Sequence, residues 1–212
     1  MVSGIDVVLW DIGQVVYESP FERFGELEAH TGMPEGTLPR GPFVPEGDAE
    51  YDRVDSGERD EPEYWRDIEA LARETVPGLH LYDALRELGW EGRGRPVVLG
   101  LLADITTRYR QAVLTNDATK FLGEGWKDSW EYAGYFERIV DSLDIGVRKP
   151  DPASYTAAVQ ALGADAGRVL FIDDLTANVE GARTAGLQGF RFDTTDPAAS
   201  VAELRALLDL PA

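Results

Sequence analysis

The sequence predicts an α/β protein built on a parallel sheet. Short apolar segments alternate with amphipathic helical patterns along most of its 212 residues, and this alternation is typical of a parallel sheet covered by helices on both faces. Hydrophobic residues make up 43% of the chain. That content suffices for one large domain or for a core with a modest insert.

The predicted strands are short apolar runs followed by polar or small residues. The first run ends directly before Asp11 and Gly13, at the strand end where ligands gather in open α/β sheets. The five candidate strands are residues 5–10, 111–115, 138–140, 168–172 and 189–192. The helices between and after them are predicted near residues 96–109, 152–162, 177–185 and 197–208, and three of the four begin with the proline favoured in a first helical turn.

Residues 17–88 interrupt this alternation. Residues 21–31 and 62–73 have helical patterns, and residues 37–47 are rich in proline and glycine and predict a loop. We therefore expect a core of residues 1–16 and 89–212 with a small helical cap of residues 17–88. A cap inserted after the first strand is placed to act as a lid over the strand ends.

Composition excludes several classes of function. The formal charge of −19 repels phosphate backbones, so we expect no nucleic-acid partner. Cysteine is absent, which rules out thiolate metal sites and cysteine nucleophiles and suits a cytoplasmic protein. No apolar run is long enough for a membrane span, and residues 1–4 lack a basic leader pattern. The sequence leaves the oligomeric state open.

Polar residues stand at four strand ends or helix starts, which a parallel sheet brings together. Asp11 is a candidate nucleophile toward phosphorus, and adjacent aspartates after a strand are hard oxygen donors for Mg²⁺. A lysine before a helix would neutralise a bound phosphate, and a threonine hydroxyl would hold its oxygens. These candidates are Asp11, Thr115 with Asn116, Lys149, and Asp173 with Asp174. Taken singly, Asp11, Thr115 and Asn116 are also compatible with a helix cap or a turn, and Lys149 with a solvated side chain. The adjacent pair Asp173-Asp174 is more suggestive, because two neighbouring carboxylates repel each other without a cation.

In order and spacing, these motifs resemble the haloacid dehalogenase-like superfamily, in the subclass with a helical cap after the first motif. The resemblance covers nearly the whole chain. It implies a Rossmann-like core, an aspartyl-phosphate on Asp11, and phosphoryl binding by Thr115, Asn116 and Lys149. It also implies Mg²⁺ held by Asp11, the carbonyl of Gly13, Asp173 and Asp174. Asn178 occupies a place where a further acidic residue often sits.

Gly13 departs from the superfamily's usual pattern, in which a second aspartate protonates the leaving group. Such general acid–base help is worth about 10²–10⁴-fold. Members similar to bacterial sugar-1-phosphate phosphatases also carry glycine here, and an anomeric leaving group needs less protonation. Tyr17, Glu18 and His30 are alternative proton donors, although surface or core packing is the more common role of a lone histidine such as His30.

The leading hypothesis is therefore a Mg²⁺-dependent phosphatase acting on a small phosphorylated metabolite, with a sugar phosphate as one candidate. A non-catalytic binding protein is the main alternative, and Gly13 is its direct support. Carbon–halogen hydrolysis needs no metal and gives no reason for the acidic pair Asp173-Asp174. A mutase needs an acid/base group to shuttle protons, which Gly13 cannot be.

Overall fold

The computed structural model describes residues 4–90, 94–116 and 118–211, without the side chains of Lys120 and Phe121. The chain divides into two compact units. Unit 1 comprises Met1–Val16 and Gly94–Ala212, and unit 2 comprises Tyr17–Arg93. Met1–Ser3, three of the four residues that lack a basic leader pattern, lie outside the described residues.

Unit 1 contains a parallel sheet, as the sequence predicts. Its described strands are β1 (Val7–Trp10), β2 (Arg110–Thr115), β3 (Arg138–Asp141), β4 (Val169–Asp173) and β5 (Gln188–Arg191). Their spatial order is β3-β2-β1-β4-β5, and every neighbouring pair is parallel. The first strand in the chain is therefore the central strand, hydrogen-bonded on both sides.

The described helices of unit 2 are more numerous than the sequence pattern predicts. They are α1 (Phe24–Thr31), α2 (Ala49–Asp55), α3 (Glu61–Thr75) and α4 (Leu81–Glu87). Of the two predicted helices, α1 is shorter and α3 longer than predicted. A 3₁₀ turn capped by Ser19 precedes α1 and takes the place of the predicted first helical turn. The Phe21 ring packs against Phe24, Tyr51 and Trp65, so aromatic side chains build much of the interior of this unit.

Helices of unit 1 cover both faces of the sheet, which confirms the predicted layering. In chain order they are α5 (Pro96–Ile105), α6 (Ala118–Leu122), α7 (Trp126–Ser129), α8 (Ser142–Ile145), α9 (Pro152–Leu162), α10 (Thr176–Thr184) and α11 (Pro197–Leu207). One face buries Leu9 and Phe171 in a cluster with Tyr155 of α9 and Ala182 of α10. On the other face Trp10 donates to Gln111, which in turn donates to the Leu102 carbonyl of α5.

Helix α5 ends earlier than predicted, at Ile105 instead of residue 109. The hydroxyl of Thr106 donates to the Leu102 carbonyl at 2.8 Å, and that of Thr107 donates to the Asp104 carbonyl at 2.8 Å. Such local side-chain bonds compete with helical continuation. Among the described residues, no helix is both long and apolar enough to cross a membrane.

Candidate active site

The sheet register aligns the carboxyl ends of the three central strands. Trp10 at the end of β1 is paired with Val113 of β2 and with Ile172 of β4. The next residue, Asp11, is therefore level with Asp173, and its N–H donates to the Ile172 carbonyl at 2.8 Å. The buried Thr115 ends β2 at the same edge.

A buried ion pair network forms at this edge. The Lys149 ammonium donates to Oδ1 of Asp11 and to Oδ2 of Asp173, both at 2.7 Å. All three residues are at most 7% exposed. Burial alone would lower the pKa of Lys149, but the charges and hydrogen bonds of Asp11 and Asp173 raise it well above its ordinary value. Lys149 is therefore a fixed positive charge between two carboxylates.

Asp174 completes a cluster of acidic groups. Asp11, Asp173 and Asp174 each offer a carboxylate oxygen within 4.8 Å of the others, and all three residues are buried. Together with Lys149 these residues comprise three carboxylates and one ammonium. Such an excess of hard oxygen donors fits a divalent cation such as Mg²⁺. Oδ1 of Asp11 faces Lys149, so its Oδ2 is the oxygen on the other side of the carboxylate.

Asp173 already receives several hydrogen bonds from the protein. Besides Lys149, it accepts from the Leu175 N–H at 2.9 Å and from the Asn178 amide at 3.0 and 3.1 Å. The Asn178 carbonyl in turn accepts from the Tyr155 hydroxyl at 2.6 Å. Burial first, and then the charges of Asp173 and Asp11, raise the pKa of Tyr155, so this hydroxyl remains a donor.

The segment after Asp11 turns sharply. The Gly13 carbonyl accepts from the Val15 N–H at 2.6 Å across Gln14, whose φ is +58°. A three-residue turn with positive φ at its centre is uncommon and strained. Gly13 itself does not have a positive φ, and a Cβ built on it would lie 3.5 Å from Oδ2 of Asp11. The backbone therefore does not require glycine at this position. Within unit 1, the absence of a side chain on Gly13 leaves space beside Asp11, the candidate nucleophile.

The structure thus brings four predicted site residues into one cluster: Asp11, Lys149, Asp173 and Asp174. Asn116 reaches that cluster through the backbone of Lys149, to which its side chain is hydrogen-bonded. The three alternative proton donors, Tyr17, Glu18 and His30, all belong to unit 2.

Sequence reasoning missed two residues that support the site. Tyr155 was predicted only as part of a helix, although its hydroxyl anchors Asn178. Asp141 accepts from both the N–H and the hydroxyl of Thr119 at 2.9 Å and so anchors the start of α6, two residues after Asn116. An aspartate at a strand end is the available sequence signal for Asp141, and it is shared with ordinary caps such as Asp165.

Known proteins with similar sequences include several phosphatases. Phosphatase MT3486 of Mycobacterium tuberculosis is 31% identical over 129 residues, which cover 59% of this chain and 59% of that protein. Acyl-CoA dehydrogenase family member 10 of Mus musculus is 29% identical over 210 residues, covering 96% of this chain and 19% of that protein. The match therefore spans about three fifths of phosphatase MT3486 and about a fifth of acyl-CoA dehydrogenase family member 10.

Solved structures share the fold at low identity. The haloacid dehalogenase-like hydrolase YfnB of Bacillus subtilis, solved with bound magnesium, has a TM-score of 0.63 at 18% identity, covering 98% of this chain and all of that one. A hydrolase from Streptococcus pneumoniae has a TM-score of 0.61 at 21% identity, with the same coverage. These likenesses concern the fold alone.

The family assignment rests on a match over most of the chain. A model of the haloacid dehalogenase-like hydrolases matches residues 5–186, a range that begins just before β1 and includes the complete Asp11, Lys149, Asp173 and Asp174 cluster. The resemblance inferred from the motifs is thereby confirmed, and the chain belongs to the haloacid dehalogenase-like hydrolase family.

Proposed function

We propose that the protein is a Mg²⁺-dependent phosphatase acting on a small phosphorylated metabolite through an aspartyl-phosphate on Asp11. The observation that carries the proposal is the position of Lys149, with 2.7 Å contacts to both Asp11 and Asp173 in a buried acidic cluster. The phosphatases among the sequence relatives support the same reaction class.

In the first step, Oδ2 of Asp11 attacks phosphorus and the bond to the leaving oxygen breaks, with the electron pair leaving on that oxygen. Lys149 donates to Oδ1 of Asp11, and Oδ2 is the proposed attacking oxygen. In the second step, a water oxygen attacks phosphorus, the bond between phosphorus and Oδ2 of Asp11 breaks with its electron pair returning to the carboxylate, and inorganic phosphate leaves while the proton lost from the water passes to solvent. Thr115 and Lys149 are the proposed contacts of the phosphoryl group.

The proposed Mg²⁺ ligands are Asp11, Asp174 and the Gly13 carbonyl. Asp173 is the fourth proposed ligand, although its two oxygens already accept hydrogen bonds from Lys149, Leu175 and Asn178. When bound, the ion would offset the negative charge of the phosphoryl group against these carboxylates. YfnB, which shares the fold, was solved with magnesium bound, and this is consistent with Mg²⁺ as the cation.

Gly13 narrows the range of suitable substrates. Because Gly13 supplies no proton to the leaving group, a leaving group that is stable as an anion is expelled more easily, and a sugar phosphate linked through its anomeric oxygen comes nearer to this condition than an ordinary alkyl phosphate. We further propose that residues 17–88 form a helical cap that selects the substrate.

A non-catalytic phosphate-binding protein is the second candidate, and the open position at Gly13 favours it. One assay separates the two. The protein is incubated with an aryl phosphate, whose leaving group needs no acid, with Mg²⁺ or with a chelator, beside an Asp11→Asn variant. We expect turnover that the chelator and the substitution each abolish. Turnover that survives either treatment contradicts the proposed mechanism, whereas binding of inorganic phosphate without turnover on this or a metabolite panel favours the binding protein.

A further inference from the structure

The side-chain amide of Asn116 holds the backbone of Lys149 at two points. Oδ1 of Asn116 accepts from the Lys149 N–H at 3.0 Å, and its Nδ2 donates to the Lys149 carbonyl at 3.0 Å. These residues are 33 positions apart in the sequence, so the two bonds fasten the loop after α8 to the end of β2.

The orientation of the amide is fixed by these partners. The Lys149 N–H can only donate and its carbonyl can only accept, so exchanging the oxygen and nitrogen of Asn116 would place donor against donor and acceptor against acceptor. One acceptor and one donor of the amide are therefore directed at the main chain of Lys149. The expectation that Asn116 binds substrate directly gains no support from this arrangement.

The two hydrogen bonds from Asn116 matter for the position of the Lys149 ammonium because the lysine side chain is long. Its four-carbon stem is flexible, and the location of Nζ depends on where the backbone places the Cα atom. Nζ must contact Asp11 and Asp173 at once, each at 2.7 Å. A displacement of about 1 Å in such a constellation can cost about 10²-fold in rate.

We infer that Asn116 is a positioning residue that acts through Lys149, by fixing the backbone from which its ammonium reaches Asp11 and Asp173. The activity readout of this inference rests on the proposed phosphatase function. Its structural readout, the protection of the Lys149 amide, does not.

A double-mutant cycle tests the route of action. Turnover of an aryl phosphate is measured for Asn116→Ala, Lys149→Met and the double variant. We expect Asn116→Ala to lower kcat by about 10- to 100-fold with little change in KM. If Asn116 acts only through Lys149, the double variant is as slow as Lys149→Met, within about twofold. Losses that multiply, or a KM that rises in Asn116→Ala, would show direct substrate contact and overturn the inference.

Amide hydrogen exchange at Lys149 gives an independent readout. We expect exchange to be at least about tenfold faster in Asn116→Ala than in the wild type, because the acceptor of this N–H is removed. Asn116→Asp keeps the acceptor but loses the donor to the Lys149 carbonyl, so it should preserve most amide protection while lowering kcat. This variant also decides the matter if the alanine variant does not fold.

Asp165→Ala is the matched control. Asp165 caps the turn before β4, at the opposite end of that strand from Asp173, and accepts from the Gly167 N–H at 3.0 Å. Its loss should lower stability slightly without changing kcat or exchange at Lys149. If the wild type shows no turnover, the proposed function fails while the exchange result still decides this inference. Unchanged Lys149 exchange in Asn116→Ala overturns it.

Discussion

Gly181 of α10 and Pro150, next to Lys149, are in such close contact that a Cβ at Gly181 would lie less than 3.0 Å from the Pro150 carbonyl oxygen. A backbone atom cannot yield as the end of a flexible side chain can. The helix after the acidic pair and the loop that carries the lysine are therefore packed together at a position only glycine fits.

We accordingly expect Gly181→Ala to destabilise the protein by about 1–3 kcal/mol through overpacking and to lower kcat by moving the Lys149 loop. Gly100→Ala is the matched control, because Gly100 also lies within a helix, is exposed, and has no described atom within 4 Å of a built Cβ. That control should stabilise the protein by about 0.5–1 kcal/mol. Urea unfolding measures both, and equal effects of the two substitutions would contradict the packing argument.

Gly13→Asp should restore a proton donor beside Asp11. The built Cβ is 3.5 Å from Oδ2 of Asp11, an ordinary contact, and the backbone is not in the left-handed region, so neither the Cβ nor the backbone opposes a side chain at this position. We expect kcat/KM for an alkyl phosphate to rise by about 10²-fold, with a smaller change for an aryl phosphate. Gly13→Asn, which has the same shape but no acid, is the control. A comparable gain in Gly13→Asn would refute the role of the proton.

Mg²⁺ should stabilise the folded protein through Asp174. A ligand at about 100 times its Kd adds about 2.7 kcal/mol to the free energy of unfolding, so the Tm should rise with Mg²⁺ concentration. Asp174→Asn should reduce this rise, whereas Asp209→Asn should not, because the Asp209 side chain is 97% exposed. Thermal unfolding across a Mg²⁺ titration measures the effect, and a rise in Tm that is the same in Asp174→Asn would argue against this ligand.

In unit 2, Glu28 should make stability depend on pH. This carboxylate is 1% exposed and accepts from the N–H groups of Gly36 and Leu38 and from Arg40. Burial raises its pKa, but these bonds together lower it below 4.5. Glu28 is therefore ionised more readily when folded. The contribution of Glu28 to the free energy of unfolding is complete above the pKa that this carboxyl has in the unfolded chain. It is lost as the pH falls through the lower pKa of the folded protein.

Glu28→Gln should consequently destabilise the protein at pH 7, by about 3 kcal/mol for a broken buried pair, and the difference from the wild type should shrink below about pH 4.5. Urea unfolding between pH 3 and 7 measures this. The exposed Glu74→Gln is the control and should have little effect at any pH. A difference for Glu28→Gln that stays constant with pH would rule out the ionisation argument.

The sequence predicted the sheet and the acidic cluster because both depend on local patterns and one topological rule. Apolar runs identify strands, and parallel strands bring their carboxyl ends together, which was sufficient to place Asp11 near Asp173. The short helices α2 and α4 were not predicted, because seven residues make about two turns and give too little periodicity.

The hydrogen bonds around Lys149 were beyond sequence reasoning for a different reason. The sequence predicts substrate binding by Asn116 from its place beside Thr115 in the motif at the end of β2. An asparagine at a strand end has no local feature that reveals its hydrogen-bond partner. The bonds to the Lys149 backbone depend on the path of the loop after α8, and on no pattern of residue types. The roles of the individual site residues stay predictions until the variants described above are measured.

The central place of β1 has a consequence for how the chain is made. Val7–Trp10 is synthesised before both of its neighbours, since Val7 is paired with Arg110 and Val169. At about 5–20 residues per second, the ribosome needs roughly 5–20 s to reach β2 and roughly 8–30 s to reach β4. Until β2 is made this apolar strand has two open edges, and until β4 is made it has one, and an open strand edge favours aggregation. Of the three central strands, the one that presents Asp11 therefore waits longest for its second neighbour, although it is made first.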